Sequence, residues 1–386
     1  MKLRSLLAIL VLSCSIVPSA HAEEEAHEAA VASKEQDAQY ANWMTFYYLH
    51  KDPSLMLDYL AWLQYSGLLE HNETLAPSVS GFLSVVFSDN PSQVKDWVTS
   101  VSFTGRTRAI VQHALWLSGN TTLIKEAFKE TPDYTKTPAT GLLLTEPKIP
   151  TDLDMYWAAF SASGDVTYIR KVVDTLKEFA KPTLDRDKGL DLRAAAAWSL
   201  GANMAQHELA VREVTEELKT RPASIKIVLN DVLEKFRRSV VPFAKQDGDF
   251  SAALLITDAE GLEQYKKQPN KAGYVPTSTS VQRGKTVVVK IIFTGMTLTD
   301  DLQADVKFDL KVLSPDGTVY GNAHQEGLPA LEGKVPSRFR IYNTASSLTL
   351  EFEPQDPSGV YKIQGEIRDN VGQKRVALEK ELTLVD

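Results

Sequence analysis

The apolar residues of this chain change their period once, near Gly248, and that change restricts the fold more than any motif does. From about Tyr40 to Ala244 they recur at three and four, with Leu, Ala, Lys and Glu abundant, the pattern of helices that bury one face. Past Gly248 they recur at two. In ADVKFDLKVL, Val306, Phe308, Leu310 and Val312 share one face of a strand, and Asp305, Lys307, Asp309 and Lys311 share the other. The expectation is a helical part followed by a sheet part with one wet side.

Within the helical part a nine-residue phrase recurs without gaps: DPSLMLDYL from Asp52, NPSQVKDWV from Asn90, NTTLIKEAF from Asn120 and DVTYIRKVV from Asp165. An Asp or Asn in first place can accept hydrogen bonds from free backbone N–H groups and cap a helix. Pro53 and Pro91 then suit the first helical position, where a missing N–H costs nothing. Apolar residues at phrase positions 5, 8 and 9, such as Met56, Tyr59 and Leu60, predict one buried face. An apolar helix end and a tight turn precede each phrase, so the unit reads as helix, turn, capped helix. The arrangement resembles tetratricopeptide-like α-solenoids in architecture, without their Trp, Gly and Tyr signature. All six tryptophans lie in this part, roughly one per helical segment, which is the spacing of core packing.

The sheet part reads as SAALLIT (strand), DAEGLEQYKKQ (helix), a loop-rich stretch, TVVVKIIF, the alternating run above, a turn at SPDG, and then SLTLEFE, GVYKIQGEI and RVALEKELTL. Asp356-Pro-Ser-Gly-Val-Tyr361 resembles the tyrosine corner of immunoglobulin-like domains, with Ile363 where antibody domains carry a cysteine. That resemblance implies an antiparallel immunoglobulin-like β-sandwich over about 286–385. The whole chain is thus read as a multidomain α + β protein: a leader over 1–22, an acidic arm over 23–38, an α-solenoid-like hairpin domain over 39–247, and the sandwich over 248–386.

The leader reading rests on Lys2 and Arg4, a short apolar run from Leu6 to Val17, and Ala20-His21-Ala22 as a cleavage pattern. A run of twelve residues is too short to span the roughly 30 Å core of a bilayer as a helix. Export to a bacterial periplasm with cleavage after Ala22 is expected, without stable membrane insertion. The single cysteine, Cys14, falls inside the leader; the bulky Leu12 before it argues against lipidation. A formal charge of −8 argues against nucleic acid as partner.

No motif names a reaction. Ser92 and Lys95 match an SxxK pattern and Ser88-Asp89-Asn90 an SDN pattern, but in the wrong order for penicillin-binding enzymes. Gly284-Lys285-Thr286 precedes a strand, so it is a turn and no phosphate loop. Asp152 and Asp154 suit a helix start, and Asp185, Asp187 and Asp191 a solvated loop. The histidines show no HExxH pair. No catalytic, cofactor-binding or metal-ligating residue is assigned, and no cofactor is expected. The expected function is binding: a scaffold or adaptor for an envelope protein or peptide, with Lys95, Lys125, Arg170, Arg237 and Arg238 as partner-binding residues. A glycan- or peptide-binding module and an envelope hydrolase are the alternatives.

Overall fold

The computed structural model describes residues 20–130, 132–138, 141–180, 186–240, 242–267 and 277–385. The leader, apart from its last three residues, and Cys14 lie outside them. The chain divides into two compact units, the first ending at Thr45 and the second running from Phe46 to Asp386. The acidic arm expected at 23–38 is part of one helix, α1 (Ala20–His50), whose backbone leaves helical geometry at Phe46, where the two units divide.

In the second unit the helices are α2 (Met56–Tyr65), α3 (Leu68–His71), α4 (Ala76–Asp89), α5 (Val94–Ser100), α6 (Gly105–Leu117) and α7 (Thr121–Phe128). They continue as α8 (Asp152–Ser163), α9 (Thr167–Asp174), α10 (Arg186–Met204), α11 (Glu208–Thr220) and α12 (Ala223–Ser239). Helix α4 packs against both α6 and α8, and Val79 to Phe87 are buried without a break. Gly81 makes the α4–α8 approach possible: a Cβ there would stand 2.3 Å from the Met155 carbonyl oxygen. The phrase positions behave as their spacing predicts. Met56, Tyr59, Leu60, Val94, Trp97, Val98, Ile124, Phe128, Ile169, Val172 and Val173 are all buried, and Ala127 alone is partly exposed.

The caps divide. Asp52 Oδ1 accepts from the Ser54 N–H at 2.9 Å and Asp165 Oδ1 from the Thr167 N–H at 2.8 Å. Asn90 instead donates through Nδ2 to the Val86 carbonyl, and Asn120 through Nδ2 to Ser118 Oγ. An amide has a donor that a carboxylate lacks, and at both Asn positions the preceding turn uses it. Pro91 correspondingly lies in a turn before α5, three residues ahead of the first helical residue. Asp187 and Asp191 stand on α10 instead of a loop, and Asp185 lies outside the described residues.

The change from helix to strand falls between Ser239 and Lys245. The later elements are β1 (Lys245–Asp247), β2 (Phe250–Thr257), α13 (Ala259–Lys267), β3 (Ser280–Gln282), β4 (Thr286–Thr294), β5 (Gln303–Leu313), β6 (Val319–Lys334), β7 (Tyr342–Asn343), β8 (Leu348–Glu351), β9 (Gly359–Asp369) and β10 (Lys374–Val385). They make two five-stranded sheets. The first has the order β1-β2-β4-β7 with β8 also on β4, and the second β3-β10-β9-β5-β6. The sheets are antiparallel except that β3 runs parallel to β10, a departure from the all-antiparallel expectation. Parallel pairing is open to β3 because its partner β10 lies about a hundred residues further along the chain, so no hairpin fixes their direction.

Both sheets feed one apolar core, with Val289, Ile291 and Phe293 from β4, Val306, Phe308, Leu310 and Val312 from β5, and Ile363 and Ile367 from β9. Tyr361 is buried and its hydroxyl donates to the Pro357 carbonyl at 3.0 Å, back across the turn that precedes β9.

The helices and sheets meet along the β6–β7 connection. The Glu208 N–H donates to the Pro336 carbonyl at 2.6 Å, and Glu208 Oε1 lies 3.5 Å from Arg338 Nε. Arg212 donates to the Asp300 and Thr299 carbonyls at 3.0 and 2.9 Å. The Arg340 guanidinium sits 4.9 Å over the Phe46 ring, and Leu49, from the last turn of α1, joins the sheet core. His207 is sealed into this junction at 1 % exposure, among Phe46, Tyr48 and Phe160, with the Tyr48 hydroxyl 3.2 Å from Nδ1. Burial, reinforced by the Arg340 charge, pulls its imidazole down to about 3.

Candidate functional site

The concavity that stands out on the helical surface is a groove of about 420 Å³ between α10 and α12. Its shape follows from the sequence of α10. Leu192, Ala196, Leu200 and Met204 recur every four residues and form the buried stripe. Ala194, Ala197, Gly201 and Ala202 turn to the groove, where their small side chains leave the space open. On α12, Ile225, Leu229, Leu233 and Phe236 bury one face; Val232 and Phe236 also reach the groove wall. Phe236 also makes an edge contact with Phe339, ring centroids 4.9 Å apart.

Trp198 lines this groove at 71 % exposure, and Ile227 on α12 is equally exposed. Among the other tryptophans Trp97 and Trp157 are buried as expected, while Trp198 departs from the core reading. The sequence did hold the signal: Trp198 lies two residues from both Ala196 and Leu200, which on a helix is the side opposite the buried stripe. An indole left in water over small residues leaves apolar area that a partner can cover, worth about 25 cal/mol per Å².

Charges border the α12 side. Lys235 pairs with Asp231 at 2.6 Å and Arg238 with Glu234 at 2.8 Å, each one helical turn apart. Arg237 is exposed in the last turn, with no side-chain partner among the described residues. Of the other residues singled out from sequence, Lys95 forms an ion pair with Glu126 at 3.2 Å, which brings it to the helix that carries the exposed Lys125. Arg170 is held by the buried Glu213, with Nε 2.5 Å from Oε1. None of Lys95, Lys125, Arg170, Arg237 and Arg238 is among the residues that line the α10–α12 groove.

Groups with catalytic potential are scattered. Burial raises the Asp154 carboxyl to about 6, and no hydrogen bond or ion pair engages it among the described residues. Asp152, by contrast, accepts from the Lys148 and Ile149 N–H groups, capping the turn ahead of α8. His113 Nδ1 lies 3.3 Å from Ser80 Oγ and the ring stacks on Trp116, but no carboxylate orients it among the described residues. Nor do three His, Cys, Asp or Glu side chains converge as a metal site there. No helix among the described residues is long and apolar enough to cross a membrane.

No family model matches the chain, and no curated protein matches it. Solved structures give faint likenesses. A Niemann-Pick type C2 protein from Japanese carpenter ant is 13 % identical over 36 % of this chain and 91 % of its own, with a TM-score of 0.21. A CARDB domain from Pyrococcus furiosus, in complex with di-metal ions, is 12 % identical over 38 % of this chain and 93 % of its own, with a TM-score of 0.19. The alkylpurine DNA glycosylase AlkC of Pseudomonas fluorescens is 9 % identical over 78 % of this chain and 77 % of its own, with a TM-score of 0.20. Likenesses this faint assign neither a family nor an activity to the chain.

Proposed function

We propose that this is an exported periplasmic scaffold, cleaved after Ala22, that binds a segment of an envelope protein in the α10–α12 groove. In this reading the helical hairpins are a solenoid-like array, supported by four phrases that bury equivalent positions, and the two sheets are an immunoglobulin-like sandwich, supported by the Tyr361 to Pro357 bond. The observation that carries the function is Trp198, a large apolar side chain exposed beside an open floor of small residues. Exposed indoles of this kind are overrepresented among the anchors of protein interfaces. The occupant is an apolar segment with an acidic flank, matched to Lys235 on the groove wall and to Arg238 one turn on from it along α12.

A photo-crosslinking residue at Ile227 in producing cells identifies the partner, which is then purified for binding. Trp198→Ala is expected to weaken that binding by more than about 1 kcal/mol, and Gly201→Leu to block the groove. Lys235→Glu is expected to slow association and flatten its salt dependence. Unchanged affinity in both Trp198→Ala and Gly201→Leu would sink the assignment.

A further inference from the structure

The wet face of the second sheet holds a second concavity, of about 540 Å³, over β5, β6, β9 and β10, with Lys245 reaching in from β1. That volume suits a small ligand. It shares no residue with the α10–α12 groove.

Most of its charges are already spent on one another. Arg368 forks onto both oxygens of Asp309 and reaches Glu366 at 2.9 Å; Asp309 also accepts from the Gly327 N–H at 2.6 Å. His324 Nε2 lies 2.9 Å from Glu326 Oε1. Three charges stay uncompensated. Lys311 and Lys245 have no side-chain partner among the described residues, and Glu379 has only the amide of Gln364, at 2.8 Å.

Strand register orders these groups. Lys311 stands opposite Gln364, and Gln364 opposite Glu379, so one row crosses three strands as ammonium, amide, carboxylate. Neighbouring strands are about 4.8 Å apart, which sets the two charged ends about 10 Å from each other at the backbone. An extended peptide of two or three residues spans about 7–10 Å. We infer that this concavity binds a short peptide with both termini free, its carboxylate on Lys311 and its ammonium on Glu379, with Gln364 donating or accepting along the middle. Because β1 packs against β10, Lys245 stands at the Glu379 end of the row, where it is placed for an acidic side chain of the peptide.

Calorimetric titration of the full chain with trialanine, with N-acetyl-trialanine and with trialanine amide tests this. Free trialanine is expected to bind, and blocking either terminus to weaken binding roughly tenfold or more. Lys311→Met should weaken trialanine and make amidation immaterial, and Glu379→Gln should do the same for acetylation. Both positions lie on the solvent face, so far-UV circular dichroism should be unchanged. Absence of binding by free trialanine, equal binding of the blocked forms, or undiminished binding by both variants overturns the inference.

Discussion

At the scale of single residues, two positions translate directly into measurable stability. Gly81→Ala should gain about 1 kcal/mol of helix propensity, yet its methyl would meet the backbone oxygen of Met155, which cannot swing aside as a side-chain tip would. The clash should win, for a net loss of about 1–3 kcal/mol in chemical denaturation. Gly201→Ala is the internal comparison, because its Cβ would meet Val232 Cγ1 at an ordinary 3.8 Å. That variant should be neutral or more stable, and equal losses at both glycines would contradict the packing argument. His207 makes a pH prediction. Its folded pKa lies below its unfolded value of 6.5, so its contribution is intact above 6.5 and is lost as pH falls towards 3, because the unfolded chain binds the proton first. Stability should drop through that window by up to about 1.4 kcal/mol per pH unit, and His207→Asn should flatten the slope. A slope identical in the variant would place the acid sensitivity elsewhere.

At the scale of elements, the two kinds of cap separate a repeated sequence from a repeated bond. Asp165→Ala removes an acceptor from the start of α9 and should cost about 1 kcal/mol, whereas Asn120→Ala removes only a donor to Ser118 and should cost clearly less. Equal costs would show that the carboxylate bond carries no special weight. The phrase was legible in its apolar positions, because burial follows spacing alone, but the cap role was not, because Asp and Asn differ in what the preceding turn asks of them. Strands β2, β4, β5, β9 and β10 were legible for the same reason. Strand β6 was not: Val319 to Lys334 contains Pro329 and three glycines with positive φ, and its register on β5 slips three times. An edge strand bulged in this way loses the alternation that a sequence pattern needs, and it also presents a poor template for another strand. Of the candidate site, Trp198 was legible in its spacing, two residues off the Ala196 and Leu200 stripe, although by composition a tryptophan in a helix reads as core; Arg237 and Arg238 were picked out by charge and do not line the groove. The concavity on the second sheet was hidden for another reason, because its row of Lys311, Gln364 and Glu379 exists only once strand register is fixed.

At the scale of the molecule, the decisive feature is that the segment from Phe46 to Asp386 is one compact unit although its secondary structure changes in the middle. The β6–β7 connection is what joins the halves. Ser337 is fully buried, Arg338 meets Glu208, Arg340 covers Phe46, and Phe339 meets Phe236 edge to face. Elements tied through that many side chains should unfold together. On heating, the helical far-UV signal and hydrogen-exchange protection of β4 and β5 should therefore be lost in one transition. Phe339→Ala should cost about 1–3 kcal/mol, from lost burial and the aromatic contact. It also reaches the proposed docking site: Phe236 packs edge to face on Phe339 and lines the α10–α12 groove, so loss of that contact should loosen the wall. Partner binding should then weaken in Phe339→Ala, a residue outside the groove lining, while Phe339→Leu, which keeps most of the volume, should restore much of it. Two well-separated melting transitions in the unmodified protein would show that the junction does not couple the halves, and normal partner affinity in Phe339→Ala would show that the groove wall stands without it.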